Sequence, residues 1–156
     1  MAPVAITHVS SPEDLQHVGL LFQEYAASIG FSLSFQGFDR ELEALPGRYA
    51  PPSGRLLLAW VGGDVAGCVA LRDLGDWLCE MKRLFVRPGF HGRGVGRRLA
   101  GALLQEARSA GYEAMRLDTV PSMQAAMGLY EALGFRDIAP YTPNLIEGAR
   151  FLELRL

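Results

Sequence analysis

The chain has 156 residues and a mass of 17.0 kDa, the size of one ordinary domain, and at 49% hydrophobic it can fill a core. Only 21% of residues are charged and the net charge is −2, which excludes disorder as the main state and argues against a general binder of nucleic acid or membrane surfaces. Two cysteines, Cys68 and Cys79, cannot make a disulfide scaffold, no apolar run is long enough to span a bilayer, and Met1 to Val4 lacks a signal-peptide pattern, so a cytoplasmic protein is expected.

In chain order, Val4 to Val9 reads as a first strand. Ser11-Pro12-Glu13-Asp14 is a helix start, with a capping hydroxyl, Pro in the first turn and acids at the positive end of the dipole. Leu15, Val18, Leu21, Phe22 and Tyr25 follow at helical spacing, and Gly30 ends that helix. Phe31 to Phe38 is aromatic and irregular; Asp39 to Leu45 is a short helix stopped by Pro46-Gly47. Arg55 to Val61 and Val65 to Leu71 form a hairpin about Gly62-Gly63-Asp64, and Trp77 to Val86 is a third strand.

From Gly94 the period turns helical, with Val95, Leu99, Leu103 and Ala107 on one stripe and Gly111 as the cap. Ala114 to Val120 is a strand, Ser122 to Leu133 a helix capped by Gly134, and the tail holds two more strands around a Pro140 to Gly148 loop. This order predicts one α/β domain over residues 1–156, with a mixed, mostly antiparallel sheet of about seven strands and about four helices.

The most informative segment is Val86-Arg87-Pro88-Gly89-Phe90-His91-Gly92-Arg93-Gly94-Val95-Gly96-Arg97-Arg98-Leu99, between a strand and a helix. Three glycines let backbone approach a ligand, and the free N–H groups of the helix start favour an anion, best a phosphate. Arg93, Arg97 and Arg98 add positive charge where the helix dipole disfavours it by a few tenths to about 1 kcal/mol, a broken local rule that points to a ligand. The alternative is a glycine turn with a solvated arginine face. The spacing matches neither the phosphate loop of nucleotide triphosphatases nor the dinucleotide fingerprint.

His91-Gly92-Arg93-Gly94-Val95-Gly96 resembles the acetyl-CoA loop of the GNAT N-acetyltransferase superfamily, [Q/R]-x-x-G-x-G/A, with His91 at the position of Gln or Arg. Ala126 to Phe135 is similar to that family's A-x-x-L-Y-x-x-x-G-F helix, with Met123 where Asn is common. The resemblance implies a fold splayed at the cofactor site and acetyl-CoA as co-substrate. Leu84, Phe85 and Val86 would pair with pantetheine, the N–H of Phe85 or Val86 would hold the oxyanion, and His91 to Arg98 would hold the pyrophosphate end. It implies an N-acetyltransferase acting on a primary amine of a small molecule in a ternary complex, or else a CoA-binding module without catalysis.

By the same resemblance Glu80, six residues before Val86, is the general-base candidate, and an apolar strand around a carboxylate suits that task; the alternative is an ion pair with Lys82 or Arg116. Tyr130 matches the family tyrosine near the cofactor sulfur, and its phenol stays protonated and can donate; the alternative is a satisfied core aromatic. Tyr25, Phe31, Phe35 and Arg40 are expected on the acceptor side, with Tyr141 and Asn144 closing it from the late loop. The three histidines are too dispersed for a metal site, and none is expected. Cys79 beside Glu80 admits a nucleophile reading, but no His partner is evident. A small-molecule partner is expected, with no nucleic acid, no membrane, and room for a homodimer.

Overall fold

Ser11 sets the entry to the first helix as its position predicts. Strand β1 (Val4–His8) leads into α1 (Pro12–Ser28), where the Ser11 hydroxyl accepts the Asp14 N–H at 3.1 Å and Pro12 fills the first turn. The computed structural model describes residues 2–29, 37–144 and 146–156. The expected helix end at Gly30 and the residues Phe31 and Phe35 lie outside them. Helix α2 (Phe38–Glu43) is shorter than the sequence suggests and stops before Pro46.

Strands β2 (Arg55–Val61), β3 (Asp64–Gly75) and β4 (Leu78–Val86) form the meander, turning first at Gly62 and Gly63, whose φ values of +60° and +86° only glycine adopts freely. There follow α3 (Val95–Ser109), β5 (Ala114–Thr119), α4 (Gln124–Leu133), β6 (Arg136–Asp137) and β7 (Arg150–Arg155). The described residues thus form seven strands in the order β1-β2-β3-β4-β5-β7-β6, antiparallel except for β4 beside β5, with four α-helices.

Each face of the sheet has its own core. Val95, Leu99, Leu103 and Ala107 of α3 bury their stripe against Leu57, Val69, Leu71 and Met81. Each fully buried leucine here contributes about 1.5–3 kcal/mol. Val18, Leu21 and Phe22 of α1 pack with Tyr49, Leu56, Leu58 and Cys68 on the other face.

Two irregularities position the site. The first is a parting of strands: among the described residues β4 and β5 pair only through Leu78↔Ala114, Cys79↔Met115 and Glu80↔Arg116, and beyond Glu80 no strand lies on the β5 side of β4. The second is a bulge: Cys68 faces Phe85 while Ala70 faces Lys82, so β4 spends one extra residue there, and Arg83 takes φ +61°. A non-glycine residue in that region costs on the order of 1–3 kcal/mol, which the surrounding contacts must hold in place. The same register places Cys79 opposite Asp73, so the two cysteines do not face each other across the hairpin, as the sequence alone allowed.

Candidate active site

The glycine-rich turn opens onto a groove with about 550 Å³ of free volume, between the end of β4, the start of α3 and the start of α4. Gly94 caps α3 with φ +75° and supplies no side chain to its N–H groups, so the helix end stays available to an anion. A Cβ on Gly92 or Gly94 would meet nothing within 4 Å, while one on Gly96 would lie 3.6 Å from Val86 and 3.8 Å from Leu129, between the groove's two walls. His91 places Nε2 2.9 Å from the Val86 carbonyl; a carbonyl only accepts, so this nitrogen carries the proton and ties the loop to the end of β4.

Leu84, Phe85, Val86, His91, Gly92, Gly94, Val95, Gly96 and Arg97 all line this groove. Arg93 and Arg98 do not. Arg93 lies over the Phe90 ring at 5.7 Å, and Arg98 donates to the Val4 carbonyl at 3.1 Å, which turns it toward the edge strand β1.

Leu84, Ile29 and Met123 are shared with a second, narrow cavity in the parting between β4 and β5. Its walls carry Tyr25, Lys82, Arg83, Asp118, Asn144 and Tyr130. Burial raises the Tyr130 pKa, so the phenol keeps its proton at neutral pH. Burial, and then the Arg83 charge, lowers that of Lys82. Asn144 donates to Asp118 at 3.0 Å and accepts the Ile146 N–H, docking the late loop on β5. Arg83 reaches Glu41 through two hydrogen bonds of 2.9 and 3.0 Å, with its guanidinium over the rings of Tyr25 and Phe38, and so fastens both N-terminal helices to the bulge.

Glu80 requires a correction. It is fully buried, its carboxylate takes the Arg72 Nε at 2.7 Å and the Tyr141 hydroxyl at 2.6 Å, and it stands outside both cavity walls. An ion pair was one reading of this residue, but the partner is Arg72 rather than Lys82 or Arg116. Arg116 instead pairs with Glu153 at 2.9 Å and lies under the Tyr141 ring. Tyr141 therefore clamps Glu80 and Arg116 and does not line the narrow cavity. Arg40 is exposed on α2 and reaches neither cavity. Cys79 is buried, its thiol pushed up to about 12, which removes the nucleophile reading.

Sequence reasoning missed Lys82, Asp118 and Thr119. A signal was present: Glu80 and Lys82 on one strand, and Arg116 and Asp118 on another, put charges at period two inside strands that are apolar apart from these, Arg83 and Thr119.

Residues 21–135 match the model of the acetyltransferase (GNAT) family, and the chain belongs to that family. It is an acyltransferase with acetyl-CoA as co-substrate. An uncharacterized N-acetyltransferase of Schizosaccharomyces pombe is 37% identical over 155 residues, covering 98% of this chain and 95% of that protein. A solved GNAT acetyltransferase of Staphylococcus aureus has the same fold, with a TM-score of 0.81 at 18% identity over 98% of this chain and 99% of the other. The PaiA N-acetyltransferase of Thermoplasma acidophilum, solved with coenzyme A, gives a TM-score of 0.76 at 15% identity over 99% of each chain. Among the described residues, no helix is long and apolar enough to cross a membrane and no cluster of side chains suits a metal ion.

Proposed function

We propose that the chain transfers the acetyl group of acetyl-CoA to a primary amine of a small molecule, by direct attack in a ternary complex within one domain. The observation that carries this is the meeting of the long groove with the polar cavity at Leu84, beside Tyr130. The groove fits a long ligand with an anionic end: an uncapped helix start and Arg97 at one end, apolar walls along Val86 and Leu129.

When bound, acetyl-CoA supplies an acetyl thioester, whose carbonyl carbon the neutral amine attacks as the C–N bond forms and the C–S bond breaks. Beyond Glu80, β4 offers backbone groups on the side that β5 has left, and the N–H of Phe85 or Val86 is the donor we assign to the developing oxyanion. Tyr130 donates to the departing thiolate, for which a phenol held neutral is suited. Glu80, enclosed by Arg72 and Tyr141, acts through structure.

The experiment is CoA release with acetyl-CoA and a panel of amines, alongside the thermal shift that acetyl-CoA produces. Gly96→Val puts a branched side chain between Val86 and Leu129 without adding a helix-interior glycine penalty. It is expected to leave the fold intact and abolish both the shift and the release. A full shift in Gly96→Val would show that acetyl-CoA does not use this groove.

A further inference from the structure

Row by row, the face of the sheet that carries Glu80 obeys a simple rule. Arg72 lies opposite Glu80, Glu80 opposite Arg116, and Arg116 opposite Glu153, so four strands present alternating charges side by side. Two of these neighbours close as ion pairs at 2.7 and 2.9 Å. The next row along the same face has Lys82 on β4 and Asp118 on β5, but here the strands have parted and the cavity lies between them. Opposite charges that would be cross-strand neighbours in a closed sheet become the two walls of a binding site.

Three further observations concern what occupies it. Thr119, next to Asp118 on the same wall, is 4% exposed, and its hydroxyl finds no hydrogen-bond partner among the described residues. A buried hydroxyl of that kind awaits a polar group. The cavity's free volume of about 30 Å³ has room for about two water-sized polar groups, and at Leu84 it opens into the wider groove. Lys82 is also the one lysine in a chain with fourteen arginines. A compact ammonium suits this narrow wall where a planar guanidinium would need more width.

We infer that the acceptor is an amine that carries its own carboxylate, an amino-acid zwitterion, with its ammonium against Asp118 and its carboxylate against Lys82. This rests on the acetyl-transfer reading of the same cavity. The ammonium gives one proton to Asp118 and thence to solvent; the neutral nitrogen attacks the thioester; its second proton leaves as the amide forms, and the sulfur leaves as the protonated thiol. The net products are the acetylated amino acid, CoA and one proton.

The test measures kcat/KM for a panel of α-amino acids, their carboxamides and the decarboxylated amines, with the unmodified enzyme and with Lys82→Met and Asp118→Asn. At least one free acid is expected to exceed its amide and its plain amine by 10-fold or more. Lys82→Met should erase that preference, mainly through KM for the acid, and leave the acetyl-CoA thermal shift unchanged. Asp118→Asn should lower turnover of acid and amide alike. Amides or plain amines used as well as the acids would overturn the inference and leave the acetyl-transfer reading standing. A preference that survives Lys82→Met would also overturn it. No transfer to any amine, with acetyl-CoA still bound, would remove both readings together.

Discussion

The two cavities that meet at Leu84 are built from different materials. The groove is wide, and its special features are backbone: a glycine-capped helix end, a tied loop, a strand edge without a neighbour. The cavity is narrow, and its special features are side-chain charges delivered from two different strands. Backbone donors recognise a class of ligand, here an anionic chain, and are indifferent to small changes in side chains. Opposed charges across a fixed gap recognise one arrangement of charge. On the proposed reading, the difference assigns the shared step of the chemistry to the groove and the choice of acceptor to the cavity.

The largest expected effect falls where the two meet. Tyr130→Phe keeps the ring on α4 and removes the donor, so kcat should fall by about 10²- to 10⁴-fold with acetyl-CoA affinity unchanged. Steady-state kinetics with a CoA-binding isotherm decide it; a lost affinity with an intact kcat would make the phenol part of the groove's binding wall. Next is Glu80→Gln, which sharpens the contrast between a charged wall and a charged support. It leaves Arg72 without its carboxylate partner and weakens the Tyr141 clamp, at a cost of roughly 1–3 kcal/mol. Denaturant unfolding should show that loss, while the pH–rate profile keeps its shape. A vanished acidic limb would return the base role to Glu80.

A smaller effect is one of pH. Burial and Arg83 lower the Lys82 pKa, against the opposing pull of Glu80 and Asp118, with Arg72 adding to the lowering. The charged form is present below that lowered pKa and lost as pH rises through it. KM for a carboxylate-bearing amine should therefore begin to climb at a pH below the ordinary lysine range, relative to its carboxamide. Lys82→Arg, which stays charged, should flatten that climb even if its fit weakens binding. Identical pH dependence for acid and amide would disconnect Lys82 from the acceptor. The smallest effect separates two neighbours on α3. Arg97→Ala should weaken CoA binding about 3- to 10-fold, as expected for one partly solvated charge-assisted contact, and Arg98→Ala should not change it. Isothermal titration with equal losses for the two would place Arg98 back in the groove.

The groove was legible in the sequence because its chemistry is local. Gly92 and Gly94 lead straight into α3 and Gly96 lies in its first turn, so one window of sequence suggests an anion site, and the resemblance it carries implies the function. The stripe of α3 and the capping residues Ser11 and Gly134 are local in the same sense. The cavity was not legible. Whether Asp118 faces Lys82 depends on the register of β4 with β5 and on where the two strands part, and no window of sequence contains that. Glu80 shows the same limit: the family resemblance suggested a base at this position, but its partners Arg72 and Tyr141 lie 8 and 61 residues away along the chain. Arg93 and Arg98 show it at short range, since a glycine-rich turn displays its arginines in several directions and only one of the three turns into the groove.

The row Arg72, Glu80, Arg116, Glu153 has a consequence for how this protein can change over generations. Glu80 and Arg116 each have a neighbour of opposite sign on both sides, as does Glu153 between Arg116 and Arg136, so reversing any of these three sets like charges next to each other on two flanks at once. The sequence can leave this arrangement only by exchanging several positions together or by replacing the row with apolar residues. The four residues should therefore be inherited as a block, and a relative that has lost one of them should have lost the alternation across the sheet, together with the tyrosine that rests on it.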